Sequence, residues 1–123
     1  MAALKLGLRI KALAHVSGDG LLNLSRIKSS MGFVIDYHPD PLPIFSLIQE
    51  TGQVSNEEMF TVFNMGVGFC IVVDPSDVDE VLKLADAEGL SAYSMGVAVA
   101  DSERKIKITP YGLVGENGKF RRE

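Results

Sequence analysis

The spacing of apolar residues along the chain alternates between strand-like runs and helix-like stripes. Apolar runs predict strands at residues 11–17, 33–37, 67–73 and 92–100, and an alternating stretch predicts another at 105–109. Stripes with helical spacing predict helices at residues 1–8, 20–28, 43–52, 55–63 and 76–88. Helices between the first strands and a final hairpin with its loop at 101–104 predict an α+β domain built on a mixed sheet.

Local signals place the ends of several elements. Ser55 and Glu58 form an S-x-x-E capping box, and Pro43 suits the first turn of a helix. Either Asp74 or Ser76 could cap the helix at 76–88. The domain is predicted to span residues 1–111, and the glycine-rich residues 112–123 are expected to fray.

Composition narrows the class of protein. Of the 123 residues, 46% are hydrophobic and 23% are charged, as in an ordinary globular domain. No apolar run approaches the roughly 20 residues that span a bilayer, and the N-terminus has no signal-peptide pattern, so a cytoplasmic location is expected. The single cysteine, Cys70, excludes an internal disulfide and is expected to be a buried structural residue.

Charge is unevenly distributed around a net value of −4. Residues 1–30 carry five basic side chains against Asp19 alone, whereas residues 36–90 carry eleven acidic side chains against Lys83. The basic segment suits a phosphate-bearing ligand or is simply a solvated face. It is too sparse, and too poor in aromatic residues, for a nucleic-acid surface.

The basic segment contains a glycine turn at residues 17–20, between a predicted strand and a predicted helix. Gly18 and Gly20 let the backbone turn sharply and approach a ligand closely. A helix that begins at such a turn directs unpaired N–H groups outward, which is one way to bind an anion. The alternative is that the segment is only a turn.

The turn and three later segments resemble the phosphoribosylformylglycinamidine cyclo-ligase family, also called aminoimidazole ribonucleotide synthetases. Residues 15–20 (HVSGDG) are similar to the family's H-[IV]-[TS]-G-G-G pattern, and VID at 34–36, PIF at 43–45 and EEMFTVFNMGVG at 57–68 follow in the family's order. The resemblance covers residues 4–108. It implies the C-terminal domain only, with α/β/α layers and a partly ferredoxin-like topology, and an absent N-terminal ATP-binding domain. Met1 is then either a natural start or a fragment boundary.

The resemblance also implies chemistry. The family uses ATP and Mg2+ to close the imidazole ring of formylglycinamidine ribonucleotide, with the main cofactor motifs in the N-terminal domain. It implies His15 as the catalytic residue and no metal site in this chain. The implied substrate- and phosphate-binding residues are Ser17, Gly18, Asp19, Gly20, Asn64, Gly66 and Gly68.

Each of these positions has a competing structural explanation. His15 in an apolar strand could be a hydrogen-bonded core residue, and Asn64 could be a left-handed helix cap. Asp19 replaces the middle glycine of the family pattern, so it would repel phosphate unless it points outward or binds magnesium. Asp36 is either a substrate contact or a cap, and His38, among prolines, is expected at the surface.

The expected partners are formylglycinamidine ribonucleotide and an ATP-binding N-terminal half, with a homodimer when the enzyme is complete and with no nucleic acid or membrane. The isolated chain is predicted to be inactive, because the resemblance assigns the family's ATP and magnesium motifs to the absent N-terminal domain, and no phosphate-binding G-x-x-x-x-G-K-[ST] loop occurs in this sequence. Two alternatives remain open. One is a non-catalytic nucleotide- or phosphate-binding module, and the other is a related ATP-dependent synthetase or kinase of the same superfamily.

Overall fold

A computed structural model of the chain describes residues 10–16, 20–26 and 30–123. The predicted helix at residues 1–8 lies outside this part. The strands are β1 (Ile10–His15), β2 (Met31–Ile35), β3 (Phe69–Val73), β4 (Gly96–Ala100), β5 (Ile106–Ile108), β6 (Leu113–Glu116) and β7 (Lys119–Arg122). The α-helices are α1 (Pro43–Gly52), α2 (Asn56–Val62) and α3 (Val78–Ala87), and the 3-10 helices are Gly20–Arg26, Pro75–Asp77 and Thr109–Tyr111.

The strands form two sheets. β1 pairs antiparallel with β3, and His15 lies opposite Phe69 in the register. The second sheet has the order β4-β2-β5-β6-β7, in which β2 and β5 are parallel and the other neighbours are antiparallel. A mixed sheet with helices confirms the predicted α+β class.

The predicted hairpin around residues 101–104 is wrong, because β4 and β5 lie on opposite sides of β2. The connection crosses the start of β2, where Asp101 N donates to Ser30 O at 3.2 Å and Phe33 N donates to Lys105 O at 2.9 Å. A Cβ on Gly32 would lie 2.6 Å from Lys105 O. Gly32 lies inside β2, and the absence of a side chain there permits the crossing.

The prediction of a frayed tail is also wrong. Residues 113–122 form the β6–β7 hairpin, whose turn contains Asn117 and Gly118 at φ of 53° and 80°. Left-handed backbone at both turn residues matches the twist of the strands, which is why Asn-Gly favours two-residue hairpins. Leu113, Val114 and Phe120 are buried, so the hairpin contributes to the core.

The core lies where α2 packs against the C-terminal strands. Met59 and Phe60 of α2 are fully buried, as predicted, together with Ile106 and Ile108 of β5. The Phe60 ring contacts the rings of Tyr111 and Phe120 at centroid distances of 4.8 and 6.2 Å. Burying such a ring fixes α2, and hence the segment that follows it, against the sheet.

Local signals explain how the helices start. Ser55 Oγ accepts a hydrogen bond from Glu58 N at 3.2 Å, which confirms Ser55 as the N-cap of α2, and α1 begins at Pro43 as predicted. Asp74 caps the next helical segment, because its carboxylate accepts from Ser76 N at 3.1 Å. The predicted helix at 20–28 is instead a 3-10 helix, Gly20–Arg26, with buried leucines.

Three elements bury little. α1, α3 and β4 contain no buried residue, and this includes the apolar stripe of α3, which is formed by Val78, Val81, Leu82 and Ala85. Those four side chains are only partly buried. Among the residues that the structure describes, no helix has both the length and the apolar character needed to cross a membrane.

Candidate functional site

The structure describes only part of the predicted site. Ser17, Gly18 and Asp19 lie outside the described residues, as does the side chain of His15, whose main chain ends β1 opposite Phe69. The described members of the site are Gly20, Asn64, Gly66 and Gly68. These four residues can therefore be placed from the structure.

The two predicted motif segments meet at the end of β1. Val16 N donates to Gly68 O at 2.9 Å, and Gly20 lies against the main-chain carbonyl groups of Phe60 and Phe63 at the end of α2. Val16, just before the turn, and Gly20, its last residue, thus both lie against the segment from α2 to β3. We call this meeting point, formed by Val16, Gly20, Phe63 and residues 64–68, the β1–α2 junction.

The sequence motifs did not predict the hydrogen bond between Val16 and Gly68. The apolar runs at 11–17 and 67–73 carried the only signal for it, since pairing of those two strands brings their adjoining ends together. The contact joins Val16 and Gly68, which lie 52 positions apart in the sequence and belong one to each motif segment.

The loop after α2 has an inward and an outward side. Met65 and Val67 are buried and anchor the loop, whereas Asn64 is partly exposed and Gly66 and Gly68 are exposed. The three predicted binding residues therefore share the outward side.

Hydrogen bonds within the loop fix Asn64. Its Oδ1 accepts from Gly66 N at 2.9 Å, and its main-chain oxygen accepts from Val67 N at 3.1 Å. The α2 cap is Phe63, in extended conformation, and the left-handed residue is Met65 at φ 53°. Asn64 is thus not the left-handed cap that was one explanation for it. With its oxygen accepting, the Asn64 side chain presents two amide N–H donors, which suit a carbonyl or phosphate oxygen.

The glycines at the junction differ in why they are needed. Gly20 has φ 58°, and a Cβ there would clash with Phe63 O and lie 2.6 Å from Phe60 O, so packing alone requires glycine. Gly66 has φ 94° but open space around it. Gly68 is not in the left-handed region, and no described atom lies within 4 Å of where its Cβ would sit. No atom of the described residues fills the space beside Gly66 and Gly68, so within this part of the chain a ligand has room to come close to the backbone.

Two further titratable residues, His38 and Cys70, do not belong to this loop. His38 was expected at the surface, but only 8% of it is exposed, because the proline loop folds back over α2. Its Nδ1 donates to Pro39 O at 2.7 Å, and its ring packs edge-on against Phe60 and Tyr111. Burial lowers the pKa of His38, which keeps the ring neutral.

Cys70 is partly buried on β3, and burial raises its pKa to about 11. A thiol with that pKa is protonated at neutral pH, so it is a poor nucleophile, and this agrees with the structural role predicted for it. Asp36 is exposed, and its main-chain N–H donates to Met95 O at 2.9 Å. That bond involves the Asp36 backbone alone.

Comparisons with known proteins agree with the motifs. A family model described as "AIR synthase related protein, C-terminal domain" matches residues 1–109. Proteins named phosphoribosylformylglycinamidine cyclo-ligase are 42% identical over 113 residues in Methanocaldococcus jannaschii and 45% identical over 99 residues in Methanothermobacter thermautotrophicus. These matches cover 91% and 80% of this chain but only 32% and 28% of the relatives, so the chain spans about a third of their length.

Proposed function

Because the chain belongs to the family of C-terminal domains of AIR synthase related proteins, we propose that it forms the substrate-binding part of a phosphoribosylformylglycinamidine cyclo-ligase. The proposed reaction is ATP-dependent closure of formylglycinamidine ribonucleotide to aminoimidazole ribonucleotide, a step of purine biosynthesis. In this reaction, the amide oxygen of the substrate takes the γ-phosphoryl group of ATP. A nitrogen of the same substrate molecule then attacks the carbon that bears this oxygen, and phosphate leaves. We propose that this takes place in the cytoplasm.

The observation that carries the proposal is the outward side of the β1–α2 junction. Asn64, Gly66 and Gly68 line one side of a loop whose other side is anchored in the core by Met65 and Val67. Anchoring of this kind holds donors in place before a ligand arrives, which is what an electrostatic site requires. The relatives are named phosphoribosylformylglycinamidine cyclo-ligases, and a substrate of that kind offers oxygen atoms to those donors.

We assign roles to the residues as follows. The amide N–H groups of Asn64 bind an oxygen of the substrate, and Gly66 and Gly68 let that substrate approach the backbone. In the adjoining turn, the main-chain N–H groups of Ser17, Gly18, Asp19 and Gly20 are proposed to hold a phosphate. His15, at the end of β1, is proposed to donate a hydrogen bond or transfer a proton.

ATP and Mg2+ are assigned to the rest of the enzyme. Within residues 10–16, 20–26 and 30–123, no three His, Cys, Asp or Glu side chains are grouped so that they could hold a metal ion. We place the main ATP and Mg2+ motifs in the N-terminal portion of the enzyme, as the resemblance implies. It follows that the isolated chain should not turn over substrate, and that the complete enzyme, which we propose to be a homodimer, should.

The test is formation of aminoimidazole ribonucleotide by the chain alone and after co-expression with the N-terminal portion of the Methanocaldococcus jannaschii relative. We expect activity only with the partner. Gly66→Ala should then lower kcat/KM by about tenfold to a hundredfold, because a misplaced loop moves the Asn64 donors. Gly89→Ala is the matched control, since Gly89 also has positive φ and open space but follows α3.

Three outcomes would contradict the proposal. Activity of the chain alone would show that the ATP site is not missing, and equal losses in both glycine variants would remove the junction from the reaction. A folded, stable complex without activity would favour the non-catalytic module. Titration with ribose 5-phosphate would then test phosphate binding directly.

A further inference from the structure

The antiparallel pair β1–β3 has apolar side chains on both faces. Its inner face contributes Ala14, Cys70 and Val72 to the core. Its other face carries Leu13, Phe69 and Ile71, which are 42%, 50% and 37% exposed. We call these three residues the β1–β3 outer face.

An antiparallel pair with one face in water normally carries polar residues on that face. The apolar run at residues 11–17 instead predicted a strand covered on both faces. The described residues cover only the inner one, and all five residues of β3 are uncharged. Large apolar side chains that are contiguous and exposed mark a surface on which another protein part binds.

We infer that the β1–β3 outer face is the docking surface for the remaining two thirds of a cyclo-ligase, an inference that rests on the proposed function. Relatives about three times as long show that such a portion exists in this family. The face is also continuous with the candidate site, because Phe69 follows Gly68 directly and lies opposite His15. A partner seated on it borders the β1–α2 junction, where an ATP-binding part is needed.

The strongest competing surface is β4. All five residues of that strand are exposed, including Val97 and Val99 at 62% and 40%. β4, however, belongs to the other sheet and pairs with β2, so a partner there would not continue the surface that adjoins Gly68. Its exposure makes it a well-matched control, since it offers two valines on an antiparallel strand with similar accessibility.

The experiment measures binding of the N-terminal portion of the Methanocaldococcus jannaschii relative, purified from the co-expressed complex, to this chain by calorimetry. The test variant is Leu13→Ser with Ile71→Ser, two residues that face each other in the register. The control is Val97→Ser with Val99→Ser. We expect the Kd to rise by about tenfold or more in the test variant and to stay within about twofold in the control. Because both pairs are exposed, circular dichroism should show both variants folded.

Each other outcome overturns the inference. Equal Kd values for the test variant and the original chain would exclude the outer face, and a loss confined to the control would assign docking to β4. Sedimentation of this chain alone as a dimer that the test variant abolishes would assign the face to a second copy. Failure of the proposed function would look different, since the complex would form through the outer face and yet produce no aminoimidazole ribonucleotide.

Discussion

Two regions of the molecule use apolar residues in opposite ways. The packed region, which consists of α2 and strands β5 to β7, buries Phe60, Ile106, Ile108 and Phe120 almost completely. The open region, which consists of α1, α3 and β4, buries its apolar residues only partly, as at Phe45 and Ile48, and exposes Leu47 at 60% and Val97 at 62%. Both regions are rich in apolar residues, so composition does not separate them.

The difference shows which part of the fold is self-sufficient. In the packed region, side chains from α2 and the C-terminal strands cover one another. In the open region, apolar area remains in contact with water, where it contributes little to stability and is available for binding. Stability should therefore depend on the packed region, and association should depend on surfaces like the β1–β3 outer face.

The largest effect should come from ending the chain after Gly112. This truncation removes Leu113, Val114 and Phe120 from the core of the packed region, so we expect loss of cooperative unfolding in urea. The control is Lys119→Ala in the full chain, because Lys119 is exposed on the same hairpin. A truncated chain that unfolds cooperatively at the same urea concentration would break the comparison, because the hairpin would then be dispensable.

The next effect is expected from Phe60→Ala. Phe60 is fully buried and contacts the rings of His38, Tyr111 and Phe120, so we expect a loss of about 3–5 kcal/mol in the free energy of unfolding. Val62→Ala on the same helix, where 46% of Val62 is exposed, should cost about 1 kcal/mol or less. Comparable losses in urea denaturation would mean that α2 is not the packed element we describe.

Two of the junction glycines, Gly20 and Gly66, are expected to differ in how much their replacement lowers stability. Gly20→Ala combines a positive φ with a clash against α2 carbonyl oxygens, so we expect a loss of about 2 kcal/mol or more. Gly66→Ala has only the unfavourable φ and should cost about 1 kcal/mol. Thermal and urea unfolding would measure both. If Gly66→Ala proved the more damaging to stability, the loop would be packed and not open.

The smallest effect concerns pH. The pKa of buried His38 is below its ordinary value of 6.5, so the unfolded chain takes up a proton first as the pH falls. Stability should therefore decrease below pH 6.5, with a slope of up to about 1.4 kcal/mol per pH unit until the folded protein also binds the proton. Tyr111, whose pKa is raised chiefly by burial, does not titrate in this range.

The control for the pH experiment is His38→Phe, which keeps an aromatic ring against Phe60 and Tyr111. Urea unfolding at several pH values should show a flatter dependence in this variant. An unchanged slope would mean that His38 is hydrated in the folded protein, as expected of a surface residue, and would weaken the description of the packed region.

The sequence predicted where helices and strands occur better than it predicted which of them pair or pack together. The helix starts at Pro43 and Ser55 depend on neighbouring residues alone, and both were predicted correctly. The placement of β2 between β4 and β5 depends on contacts between residues far apart in the chain, which periodicity does not encode. The burial of His38 was missed for the same reason, because the three prolines indicate a loop but not the surface on which the loop lies.

The tail was missed although a local signal was present. Asn117 and Gly118 between Val114 and Phe120 form a hairpin pattern, whereas the glycine content of the tail alone predicts fraying. At the candidate site, the motif predicted Asn64, Gly66 and Gly68, and the structure places all three on one side of a loop. That common side could not be predicted, because it depends on where Met65 and Val67 are anchored.

The central position of β2 has a consequence for biosynthesis. Both of its neighbours, β4 and β5, begin about 60 residues or more after it ends. At roughly 5–20 residues per second, a ribosome makes that intervening chain in several seconds, during which β2 has no strand beside it. Phe33 and Ile35 would be accessible to chaperones throughout that interval, and β2 can gain both of its neighbours only after β5 has been made.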